Sequence, residues 1–134
     1  MNNVTSPRSD DNSIEQEIQA KGFTAPRVTP ADIEANIVSE LYFTAGEVFY
    51  SQEEAMQMGQ GRDWREIVIG IPEPLTLLTF CVLVLRNGFT VTGESACASS
   101  ENFDAKIGRR IARENAVQKI WPLMGYELKS KLTA

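Results

Sequence analysis

The chain contains no histidine. That absence removes every Ser-His-Asp or Cys-His catalytic pair from within the chain, and any histidine-containing metal site with them. Cysteine is scarce too: Cys81 and Cys97 are too few for a disulfide framework or a cysteine-rich zinc site. Cys81 lies in an apolar run, where a thiol behaves as a small hydrophobe, and a reduced, cytosolic setting is the simplest reading. Long apolar stretches are missing as well. The longest, residues 75–85, spans 11 residues and includes Thr76 and Thr79, whereas a helix needs about 20 to cross a bilayer. The opening MNNVTSPRSDDNS has no apolar core and does not read as a signal peptide.

What is present suits one domain. A chain of 134 residues, 43% hydrophobic, falls in the common domain range of about 100–150 residues and can bury roughly two-thirds of its unfolded surface. The net charge of −5 argues against a generally basic nucleic-acid binder. It is unevenly spread: residues 1–75 carry a net −8 and residues 76–134 a net +3.

Residues 1–26 are polar, with Pro7, Gly22 and Pro26 as breaks, and are expected to be a mobile tail holding at most a short helix from Ser13 to Lys21. Thr29-Pro30-Ala31-Asp32 is a helix start: an N-cap, a proline suited to the first helical position, and an acid at the positive end of the dipole. Ile33, Ile37 and Leu41 follow at four-residue spacing, so the expectation is a helix over residues 30–44. A second capping pattern at Ser51-Gln52-Glu53-Glu54 precedes Gly59-Gln60-Gly61, and Ile67-Val68-Ile69 reads as a short strand.

From residue 75 the pattern sharpens. An apolar run to Leu85, then Asn87-Gly88, then the alternating Phe89-Thr90-Val91-Thr92 predicts a β-hairpin. A two-residue loop would pair Arg86 with Phe89, Val84 with Val91 and Leu83 with Thr92. Leu83, Leu85, Thr90 and Thr92 would then share a face with no evident cover, and self-association through that face or the strand edge is expected. Two strands alone are marginal, so a third strand, a helix or a second subunit is required. Residues 99–121 read as the main helix, with Ser99, Ser100 and Asn102 as cap candidates, an apolar side through Phe103, Ile107, Ile111, Ala116 and Ile120, and an end at Trp121 imposed by Pro122.

The chemical candidates are few. Lys106, Arg109, Arg110 and Arg113 lie away from the apolar stripe of this helix and are suited to phosphates of a nucleotide-type ligand or of nucleic acid. A solvated face with an Arg110–Glu114 pair, or docking onto the acidic half, explains them as well. Tyr126 is a free aromatic near the chain end, able to anchor a partner or stack a base. Gly93-Glu94-Ser95-Ala96-Cys97 resembles a nucleophile elbow only faintly, with Cys97 at the second glycine and no histidine to serve it. Glu94, Glu101, Asp104 and Glu114 match no metal or acid–base spacing. No catalytic residue, metal site or cofactor is expected.

Three stretches carry a family resemblance: RVTPADIEANIVSELYFTAGE, LTFCVLVLRNGFTVTGESAC and ENFDAKIGRRIARENAVQKIWPLMGYELKSKL. Over residues 27–47 and 75–132 the chain resembles the gene-product-49-like (gene-66-like) family of small tailed-phage proteins. The resemblance implies a phage origin, expression in the host bacterial cytoplasm, no enzymatic activity and a hairpin-plus-helix core. It also makes residues 48–73 a variable insertion within a domain at 27–134.

Taken together, the expected fold is α+β: an N-terminal helix, a small antiparallel sheet centred on the hairpin, and a long C-terminal helix across one sheet face. The expected function is that of a non-catalytic accessory protein that binds or sequesters a host protein or nucleotide-type ligand. Nucleic-acid binding through the basic helix face is the alternative.

Overall fold

The computed structural model describes residues 10–134, apart from the Met58 side chain. The first nine residues of the expected tail lie outside the described residues. Helices α1 (Asp10–Ala20) and α2 (Pro30–Asn36) lead directly into strand β1 (Ile37–Thr44). Helices α3 (Ala45–Gln57), α4 (Trp64–Ile69) and α5 (Glu73–Thr76) follow, then the hairpin strands β2 (Leu78–Leu85) and β3 (Thr90–Ala96), then the long helix α6 (Ala105–Leu132). The sheet is antiparallel in the order β1-β2-β3, and α6 packs across β2 and β3. The fold is the α+β arrangement expected.

The expected helix over residues 30–44 is two elements. Thr29 caps it as predicted: its hydroxyl accepts the Asp32 N–H while the Asp32 carboxylate accepts the Thr29 N–H. The helix nevertheless stops at Asn36. Residues 37–44 (IVSELYFT) are β-branched and aromatic, and pair along β2 from Ile37↔Leu85 to Thr44↔Thr79. This is the third strand the hairpin needed. The 67–69 segment, expected to be a strand, is the end of α4, started by Asp63, whose carboxylate accepts from the Arg65 and Glu66 N–H groups. Thr44 and Glu47 form a reciprocal cap that starts α3 earlier than Ser51.

The hairpin forms, in a different register. The Gly88 N–H donates to the Leu85 carbonyl at 2.8 Å, the Leu85 N–H donates to the Phe89 carbonyl at 2.8 Å, and Gly88 sits at φ 90°. Three residues therefore close the turn, with glycine in the left-handed position, instead of two. The pairs are Leu83↔Val91 and Val84↔Thr90. One extra loop residue turns every β3 side chain to the other face of the sheet.

Val91 therefore joins Cys81, Leu83 and Leu85 beneath α6. With Ile33, Ala112, Ala116, Val117 and Ile120 they form the core. Leu83 and Ile120 are fully buried, each stabilising the fold by roughly 1.5–3 kcal/mol. Helix and sheet meet most closely at Gly93, where an added Cβ would lie 2.1 Å from the Ala112 carbonyl oxygen. Along the outer edge of β3, the Asn115 side chain donates to the Glu94 carbonyl at 2.8 Å, and Lys119 Nζ lies 3.5 Å from the Thr92 hydroxyl.

Helix α6 begins at the Asp104 cap and runs through Pro122 to Leu132, past the expected stop at Trp121. Ser99 instead caps a single 3-10 turn. Residues 10–26, expected within a mobile tail, include α1, which docks on α6. Asp11 accepts from the Trp121 indole and from Gln118, and Glu15 forms a two-pronged pair with Arg27.

Candidate functional site

The basic face of α6 divides into one engaged arginine and three open cations. The Arg113 guanidinium donates to Glu34 at 2.9 and 3.0 Å and to Glu40 at 2.9 and 3.2 Å. It thereby ties α6 to α2 and β1. These hydrogen bonds, first to Glu34 and then to Glu40, raise its pKa further. Glu40 also accepts from the Tyr42 hydroxyl at 2.6 Å, and its carboxyl is held below the ordinary range by Arg113 first and Tyr42 second. Docking onto the acidic half is thus the reading that fits Arg113. Lys106, Arg109 and Arg110 are exposed and form no ion pair among the described residues, the Arg110–Glu114 pair included.

Tyr126 is 78% exposed but 13 residues beyond Arg113, about 20 Å along the helix at 1.5 Å per residue. It forms no common site with the four cations. Cys81 is buried on the sheet, and desolvation pushes its thiol up, away from the reactive thiolate. Among the described residues no three acidic or thiol groups converge to hold a metal ion. No helix among them is long and apolar enough to cross a membrane.

The face expected to mediate self-association does not exist as drawn. Leu83 and Leu85 are buried beneath α6 in the single chain, while Thr90 and Thr92 are exposed on the opposite face. The longer turn separates Thr90 and Thr92 from the two leucines, and α6 covers the face that carries the leucines. The open face is instead built by β1 and β2: Leu41 beside Val82, and Phe43 beside Phe80 with their rings stacked at 5.2 Å. Val84 extends it, and Ser39, Thr90, Thr92 and Glu94 supply its polar margin. Val38 and Leu41 are 59% and 58% exposed. Among the described residues no helix packs across the middle of this face; α3 meets the sheet at the Phe43 end. The sequence carried a signal for it, since residues 77–85 are apolar on both strand faces and one helix can cover only one of them.

A second concavity lies where α1, α2 and α6 meet. Its cavity, about 390 Å³, is lined by Asp11, Pro30, Ile33, Glu34, Arg113, Glu114, Val117 and Trp121 among others. Arg113 is the one predicted binding residue on its wall, and both of its carboxylate partners hold it in place.

The model of the phage protein (N4 Gp49/phage Sf6 gene 66) family matches residues 28–132. The chain belongs to this family. The N4 Gp49/Sf6 gene 66 match begins just before the Thr29 cap and runs to the end of α6, taking in the sheet, the open face and the basic helix. Residues 48–73 lie within it, as α3, α4 and their connections. No curated protein and no solved structure matches the chain. Nothing in the family membership or the geometry points to catalysis.

Proposed function

We propose that this phage protein is a non-catalytic accessory protein that acts by binding a host component during infection, and that the open sheet face is where it binds. One observation carries the reading: a contiguous apolar surface of Leu41, Phe43, Phe80, Val82 and Val84 across whose middle no helix packs among the described residues. Apolar patches rimmed by polar residues are characteristic of protein–protein contacts. A flat apolar sheet favours a host protein over a nucleotide-type ligand, which needs a concave pocket with convergent polar groups.

Affinity capture from host lysate with the wild type and with Val82→Lys tests this. The substitution keeps an aliphatic stem over the sheet and adds a charge at its centre. A host component retained by the wild type and lost with the variant is the expected result. Equal retention, or no retained component, overturns the reading.

The alternative, nucleic-acid binding, keeps support from Lys106, Arg109 and Arg110, all exposed and without carboxylate partners among the described residues. It has lost Arg113. Binding that falls with rising salt and weakens when the three are replaced by glutamine is its signature.

A further inference from the structure

The two edges of the sheet are not equivalent. On β3 the α6 side chains reach the outer edge: Asn115 donates to the outward Glu94 carbonyl, and Lys119 Nζ lies over that edge against the Thr92 hydroxyl. On β1 no strand among the described residues pairs with the outer edge. The ladder fixes which groups point there. The Arg86 N–H reaches the Asn36 carbonyl and the Leu85 N–H reaches Phe89, so Val84, Val82 and Phe80 turn their backbone bonds towards β1. Their partners Ser39, Leu41 and Phe43 turn inward to meet them. Glu40 and Tyr42 therefore present N–H and C=O groups outward, while the neighbouring Thr44 N–H is already taken by Glu47.

Natural edges are blunted by charge, proline, a bulge or a covering element. Strand β1 has no proline, and its bulge lies at the Ile37/Ser39 end. Its one charge, Glu40, is offset within the chain by Arg113.

We propose that a second copy of this chain occupies the β1 edge, the two β1 strands pairing antiparallel about a two-fold axis at Leu41. The register follows from the side chains. Pairing Glu40 with the copy's Glu40 would set like charges opposite one another. Centring on Tyr42 would aim Glu40 at Thr44, whose N–H is already engaged. Centring on Leu41 places Glu40 opposite the copy's Tyr42 in both halves, each pair exchanging both backbone hydrogen bonds. It also sets exposed Leu41 against its own symmetry mate. This contact needs no host component, and it holds or fails independently of the binding face proposed above.

Cysteine cross-linking reads the register. At the axis, a non-hydrogen-bonded antiparallel pair has Cα atoms about 4.5 Å apart, within the ~4.4–6.8 Å a disulfide spans. Purified Leu41→Cys is expected to form a covalent dimer under mild oxidation. Ser39→Cys and Phe43→Cys face each other across the axis and are expected to cross-link when mixed, not singly.

Sedimentation of the wild type at micromolar concentration is expected to show a dimer. Leu41→Lys, at an exposed position, should give a monomer with an unchanged circular dichroism spectrum. Glu40→Pro, which removes an outward N–H that an edge strand does not need, should also give a monomer. A wild type that stays monomeric, or a Leu41→Cys chain that fails to cross-link, overturns the proposal.

Discussion

Gly93 and Glu40 show how much single residues decide here. At Gly93 the α6 backbone approaches so closely that a Cβ would lie 2.1 Å from the Ala112 oxygen and 2.4 Å from the Ala116 nitrogen. Neither atom can swing away as a flexible side chain would. Gly93→Ala should therefore lift the helix and cost about 3 kcal/mol or more, read as a shift in the urea midpoint. Glu40 governs acid behaviour. Arg113 and then Tyr42 hold its carboxyl below the ordinary value of 4.5, so its contribution is complete above that value and is lost as pH falls through the lower, folded one. Glu40→Gln should flatten the stability–pH slope below pH 4.5 and lower the neutral plateau. The carboxylate is about a third exposed, so the plateau should fall by under about 1 kcal/mol. Denaturation at stepped pH checks both effects, and unchanged slopes would show that the pairing adds nothing.

Elements were legible in the sequence where local and tertiary preferences agree. The Thr29 cap, the hairpin and most of α6 are of this kind. The α2–β1 boundary was hidden because Ile33, Ile37 and Leu41 satisfy a helical period while residues 37–44 also alternate and are rich in β-formers. Pairing along β2 decides between two patterns that one segment carries at once. The turn was misjudged by one residue, since Asn-Gly serves a two-residue loop and a three-residue loop with glycine last. That difference moves Thr90 and Thr92 to the face opposite Leu83 and Leu85, and the choice of α6 to pack over the leucines does the rest. Pro122 is the third case. A proline should end a helix, yet Trp121 and Met124 on either side of it pack against the core, while Pro122 is exposed. Packing overrides the local cost. Pro122→Ala should accordingly stabilise the protein by about 2 kcal/mol, the ~3 of an interior proline less the ~0.4–1 regained by the unfolded chain. Thermal unfolding measures it, and a lowered Tm would mean that the ring itself packs.

For the molecule as a whole, the governing fact is that one long helix covers one side of a sheet whose central strand is apolar on both. The exposed side should bind an apolar fluorescent dye in the native state. Val82→Lys should lower that fluorescence several-fold without changing the circular dichroism spectrum; equal fluorescence would place the dye elsewhere. The acidic first half and basic second half are drawn together by Arg113, Glu34 and Glu40, so the modest net charge conceals an internal electrostatic clasp. The unequal edges have a further result. A sheet with two bare edges can add copies without limit and grow into a fibre, whereas here Asn115 occupies the outward Glu94 carbonyl of β3 and Lys119 reaches over the same edge. Under the β1 pairing proposed above, these side chains work against growth beyond one addition. In that proposed assembly α6 would be not only the roof of the core but a chain terminator for polymerisation.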